Sequence, residues 1–205
     1  MIRFMMGARV ALASVSFATP AFAQTPPAAA AAPAQTPAPA SAAAPAAPAK
    51  PVPEAKKEDV ASMDTILAAL YDVISGPAGQ ARDWDRFRSL FTSGARLIPT
   101  GRTPEGQPRI SVVDPDGYIA RSSAGLSQGF FEKEVSREVD QFGAIAQVFS
   151  TYETRRKADD TQLLARGINS IQLYFDGTRW WIVSVYWQAE RPDSPLPEKY
   201  LPRAR

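Results

Sequence analysis

From residue 58 onward the hydrophobic positions recur first at helical spacing and then at strand spacing. Val60, Met63, Leu67, Leu70 and Ile74 form one apolar face at three- and four-residue intervals, opened by Glu58 and Asp59 and stopped at Gly76-Pro77. Residues 83–91 repeat the pattern over a shorter run. Trp84, Phe87, Leu90 and Phe91 point inward, the acids come early and the arginines late. Residues 95–100 and 109–113 predict short strands around a Gly/Pro-rich loop. Asp114-Pro115-Asp116 then opens a third helix carrying Tyr118, Ile119 and Leu126, with Asp as N-cap and Pro at the first helical position.

After Gly129 the period switches to two. Residues 131–139, 143–155, 162–175 and 179–190 predict four strands, joined by turns at 140–143, 157–160 and Asp176-Gly177 that suit antiparallel hairpins. Alternation along the last strand puts Trp181, Val183, Val185 and Trp187 on one face and Trp180, Ile182 and Tyr186 on the other. Both faces are apolar, so both must be covered. Helices followed by antiparallel strands make an α+β chain.

The flanks differ in kind. Residues 1–23 read as a secretory signal peptide: Arg3 and Arg9, an apolar run from Val10 to Ala18, and a small-residue exit at Ala21-x-Ala23. Residues 24–57 are Ala and Pro with nine prolines, a linker with too little apolar surface to offset ordering. Residues 191–205, with four prolines, read as a coil tail. The folded domain is thus expected over 58–190, exported to the periplasm or beyond, with no stable membrane anchor after cleavage.

Composition narrows the chemistry. The 205 residues include no His and no Cys, which excludes a His-based triad, a thiol nucleophile, a disulfide and a conventional zinc site. Residues 58–205 hold 18 basic against 20 acidic side chains, so no basic stripe marks a nucleic-acid binder. No cofactor or metal is expected.

Two stretches carry a family resemblance. Asp83-Trp84-Asp85-Arg86-Phe87 leading into Leu90-Phe91-Thr92-Ser93-Gly94-Ala95-Arg96-Leu97, and Asp176-Gly177-Thr178-Arg179-Trp180-Trp181-Ile182-Val183-Ser184-Val185-Tyr186-Trp187, resemble the opening and closing motifs of the nuclear transport factor 2-like superfamily. The resemblance, to its SnoaL-like and ketosteroid-isomerase-like members, spans nearly all of 60–190. It implies a cystatin-like cone, a curved, mostly antiparallel sheet wrapped around three helices. It also implies a general-base Asp on the first strand, where this chain has Pro99, and an oxyanion Tyr near Tyr71.

Among the polar residues, Asp83 and Asp85 read as helix-start charges, Asp114 and Asp116 as a cap, and Glu132, Lys133, Glu134, Arg137 and Glu138 as ion pairs on a wet strand face. Arg166, Ser170 and Gln172 share one strand face and Asn169 takes the other. In an apolar sheet they either satisfy one another or converge on a ligand. Gly167 fits a bend. Candidate pocket residues are Tyr71, Trp84, Tyr118, Phe130, Tyr152, Asn169 and Tyr186, enough aromatic surface to hold a small apolar or aromatic ligand. The chain is read as a non-catalytic binding or assembly domain and, as the alternative, as a cofactor-free isomerase, cyclase or hydrolase. A carboxylate buried inside the cone would favour the enzyme; carboxylates confined to the rim would favour binding. The doubly apolar sheet predicts a homodimer through its outer face, with the 191–205 tail as rival cover.

Overall fold

The computed structural model describes residues 51–123 and 127–202. The expected signal peptide, residues 24–50 of the linker, Leu126 and residues 203–205 lie outside them. Among the described residues no helix is long and apolar enough to cross a membrane.

The single helix predicted over 58–74 is two, α1 (Lys57–Val60) and α2 (Met63–Ile74). Ser62 separates them in an extended conformation: its hydroxyl accepts the Thr65 N–H while Thr65 Oγ1 accepts the Ser62 N–H. The apolar spacing runs through this break, so periodicity alone does not reveal it. Arg82 secures the other end of α2, donating to the carbonyls of Ile74, Gly76 and Gln80. Its guanidinium lies so close that a Cβ on Gly76 would stand 2.5 Å from Nη1.

Asp83 caps α3 (Trp84–Ser89) by accepting the Arg86 N–H. Arg86 then holds three helices together through a two-pronged bond to Asp59 of α1 and an ion pair with Asp72 of α2. Asp85 pairs with Arg88, and Asp114 accepts the Gly117 N–H. These aspartates have the helix-start roles their positions predict.

The sheet has six strands: β1 (Phe91–Arg102), β2 (Pro108–Ile110), β3 (Phe131–Phe142), β4 (Ile145–Arg155), β5 (Ala165–Phe175) and β6 (Trp180–Ala189). Between β2 and β3 comes α4 (Pro115–Ser123). Strand order is β2-β1-β6-β5-β4-β3, with β1–β6 the one parallel pair. Ile66, Leu67, Phe87 and Leu90 from the helical layer are fully buried with Val148, Ile171, Leu173 and Ile182 from the sheet. The α+β order, helices on the inner face of a largely antiparallel sheet, is the one expected.

Two irregularities decide which side chains face inward. In β6 the register passes from Leu173↔Ile182 to Gln172↔Ser184, leaving Val183 as an extra residue. Trp180 and Ile182 therefore share the inner face with Val185 and Trp187, while Trp181, Val183 and Tyr186 point outward. The two faces read from strict alternation are thus recombined at the bulge. In β3, Val135 is extra between Glu134↔Tyr152 and Ser136↔Thr151.

Among the described residues, parts of both flanks pack on the domain. Ala55 packs against the core, so the folded unit reaches upstream of residue 58. Downstream, the segment expected to be coil forms a bridge between Arg191 and Ser194 and a 3-10 turn at Glu198–Tyr200. Thr151 Oγ1 donates to the Tyr200 carbonyl at 2.6 Å, and the Tyr200 ring lies 5.2 Å from that of Phe149. Phe149 and Thr151 belong to the outer face, so the tail straps part of it.

Candidate functional site

The helices do not fill the inner face of the sheet. A partly enclosed cavity of about 250 Å³ remains between Leu70 and Ile74 of α2, Phe87 of α3, Tyr118 of α4 and strands β1 and β3–β6. Leu97, Val185 and Trp187 form much of its sheet wall, with Leu164 just before β5 and Ala165 at its start. The walls are mainly apolar, as small-molecule sites usually are.

Its charged group is Glu132. Register places Glu132 opposite Thr154, a cavity residue of β4, so its side chain points inward rather than onto the wet face expected for it. The carboxyl lines the cavity, and Asn169 Nδ2 donates to Oε1 at 3.2 Å. Among the described residues no Lys or Arg pairs with it. Burial pushes its pKa up to about 7, against a smaller opposing effect of the Asn169 hydrogen bond. Glu134 also turns inward and accepts the Ser150 hydroxyl while pairing with Arg137.

The candidate residues fall into three groups. Tyr118, Phe130, Tyr152 and Asn169 line the cavity. Tyr71 lies just behind it, its hydroxyl 2.6 Å from Ser150 Oγ and accepting Asn169 Nδ2 at 3.1 Å. Trp84 and Tyr186 do not belong. Trp84 is half-buried, packs against the core and meets Phe87 edge-on, but does not line the cavity. Tyr186 is 46% exposed on the outer face, placed there by the Val183 bulge.

Burial raises the pKa values of the three inner tyrosines, Tyr118 to about 12, and the nearby Glu132 carboxylate adds to each rise. They remain neutral hydrogen-bond donors at physiological pH. Tyr118 stacks on Phe87 at 5.2 Å and meets Trp187 edge-on. No hydrogen bond engages the Tyr152 hydroxyl among the described residues, and no buried side-chain polar atom there is left unsatisfied, so this hydroxyl opens onto the cavity. Gly167, paired with Tyr152, makes its position possible: a Cβ there would lie 2.6 Å from the Tyr152 oxygen and 2.3 Å from the Gln188 carbonyl. Close approach, more than a bend, requires glycine.

Arg166, Ser170 and Gln172 satisfy one another's neighbours instead of a ligand. Arg166 pairs with Glu190, Ser170 accepts from Gln147, and Gln172 accepts from Ser184. Pro99 sits opposite Trp187, so β1 supplies no acid at the place the family resemblance implies. Glu132 and Trp187 were missed in the sequence. Glu132 is hidden among other charges on an edge strand, and the face of Trp187 depends on the bulge. The available signal for Glu132 is its phase relative to Tyr152 and Thr154 across the hairpin. No group of three or more acidic residues is arranged to hold a metal ion among the described residues.

No family model matches the chain, and no curated protein matches it. Solved structures similar to it include an NTF-2 like protein of unknown function from Silicibacter pomeroyi, at 17% identity, covering 63% of this chain and 94% of that one, with a TM-score of 0.44. A protein from Kribbella flavida is 15% identical over 64% of this chain and 90% of its own, with a TM-score of 0.46. A protein of unknown function with a cystatin-like fold from Nostoc punctiforme is 14% identical over 63% and 89%, with a TM-score of 0.45.

Proposed function

We propose that the chain is an exported, cofactor-free enzyme that binds one small, mostly apolar molecule in the cone and moves a proton on it with Glu132. The observation that carries this reading is the carboxyl itself, inside the cavity and unpaired by any cation among the described residues, where burial pushes its pKa up to about 7. A carboxylate in an apolar site is a stronger base than one in water. Among the described residues no basic group lines the cavity, which disfavours an anionic ligand, since its charge would meet Glu132 without compensation.

The chemistry that fits is proton abstraction from carbon next to a carbonyl. The Glu132 carboxylate takes the proton, the electron pair moves onto the carbonyl oxygen, and the Tyr152 hydroxyl donates a hydrogen bond to the enolate. Return of the proton from Glu132 to the same or a conjugated carbon restores both partners. Tyr71 cannot serve as that donor, because its hydrogen is committed to Ser150.

The experiment is deuterium loss from α-deuterated acetophenone in water, followed by NMR. Catalysed loss in the wild type, rising through about pH 7 and abolished in E132Q, supports the reading. Equal loss in both proteins, with the ketone shown to bind, would overturn it. That result would favour binding without turnover, the reading to which the apolar walls and the internally satisfied Tyr71 and Asn169 also point.

A further inference from the structure

We propose that Arg137, Glu134, Ser150 and Tyr71 form a one-way hydrogen-bond chain that fixes the Asn169 amide with its N–H toward the Glu132 carboxyl, making these four the positioning residues of the cone. The inference rests on Glu132 being the working group of the site.

The direction of the chain follows from counting hydrogens. A guanidinium can only donate. Arg137 Nε donates to Glu134 Oε1 at 2.6 Å and Nη1 to Asp64 at 2.7 Å, which commits Glu134 to accepting. The Ser150 hydroxyl donates to Glu134 Oε2. Ser150 has one hydrogen, so at the 2.6 Å contact with Tyr71 its oxygen must accept. Tyr71 has then spent its hydrogen, and its oxygen accepts from Asn169 Nδ2 at 3.1 Å. The second Nδ2 hydrogen goes to Glu132 Oε1 at 3.2 Å. A flipped amide would place its oxygen against the Tyr71 lone pair and against the carboxylate, with no hydrogen in either contact. The orientation of Asn169 is thus decided by an ion pair at the edge strand.

Glu132 is faced by Tyr71 from α2, Tyr118 from α4, Tyr152 from β4 and Glu134 along β3. None is cationic, so the Asn169 N–H is the one hydrogen-bond donor engaged with its anionic form among the described residues.

The variant E134Q separates this chain from ordinary charge effects, because the two predict opposite signs. By charge alone, losing a neighbouring carboxylate makes Glu132 easier to ionise and lowers its titration midpoint. By the chain, the new side-chain amide must give its oxygen to the donor-only Arg137, which turns its NH2 toward Ser150. The Ser150 hydrogen, displaced from residue 134, takes the Tyr71 oxygen as its acceptor, so the downstream bonds reverse, Tyr71 donates to Asn169 Oδ1, and that oxygen favours the protonated form of Glu132.

The test is the carboxyl carbon shift of glutamate in 13C-labelled full-length protein against pH, with Glu132 assigned by its loss in E132Q. The chain predicts that E134Q raises the midpoint by about half a unit to one unit, and that S150A also raises it. In a Y71F background, where the chain is cut, E134Q should lower the midpoint. A fall or no change in E134Q, or a rise that persists with Y71F, would overturn the proposal. This titration needs no turnover. Failure of deuterium exchange with a correct E134Q shift would sink the enzymatic reading and leave the chain standing.

Discussion

Glu132 costs the fold something, and the sign of that cost can be worked out. An ordinary Glu titrates near 4.5, and burial pushes this one up to about 7. Between those values the folded state holds a proton that the unfolded state has lost, so stability falls as pH rises through the window. The full loss is about 3 kcal/mol above pH 7 by the linkage relation. E132Q should therefore be more stable than the wild type at pH 8 and nearly equal at pH 4, as urea unfolding at the two pH values will show. The same stability gap at both pH values would mean the carboxyl is solvated. Gly167→Ala should cost about 2–4 kcal/mol, because its Cβ would meet the Gln188 backbone as well as the Tyr152 hydroxyl. Trp84→Ala should cost only about 1–2 kcal/mol, less than a fully buried Trp, since its ring is half-buried on the edge of Phe87. A loss above about 3 kcal/mol would place Trp84 in the core after all.

At the scale of elements, order and type were legible while phase was not. The helices over 63–74, 84–89 and 115–123 and the strands β3–β6 follow from apolar spacing and caps, because burial on one face imposes that spacing. The pocket residues Tyr118, Phe130, Tyr152 and Asn169 were legible for the same reason: they lie on segments of undisturbed phase. Tyr186 was misplaced because one inserted residue, Val183, reverses inside and outside for the rest of β6. Glu132 was misplaced because charge on an edge strand ordinarily means water, and only contacts distant in sequence with Asn169 and Tyr152 say otherwise. The terminal segment was legible as coil and as a possible cover of the outer face, but its contacts with Thr151 and Phe149 were not, because prolines signal coil without saying where the coil lies. Removing residues 191–205 should lower the melting temperature by several degrees, since Thr151, Phe149 and Glu190 would each lose a partner. An unchanged melting temperature would mean the strap contributes nothing.

For the whole molecule, the strap leaves one end of the outer face open. Cross-strand pairing lines up Phe142, Ile145, Tyr174 and Trp181 in a single row, with Phe142 85% and Ile145 60% exposed. We propose that a second copy covers this row about a two-fold axis. A double variant F142D/I145D should then be a monomer by light scattering where the wild type is a dimer; a monomeric wild type would contradict the proposal. Behind that face lies the cavity, largely apolar and lined by the Glu132 carboxyl, in which we place the small molecule. The most direct test of that site is the pH titration of the Glu132 carboxyl carbon in the intact wild-type protein. The expected result is a midpoint near 7 that moves when acetophenone occupies the cone. A midpoint at the ordinary 4.5, unmoved by the ketone, would contradict it.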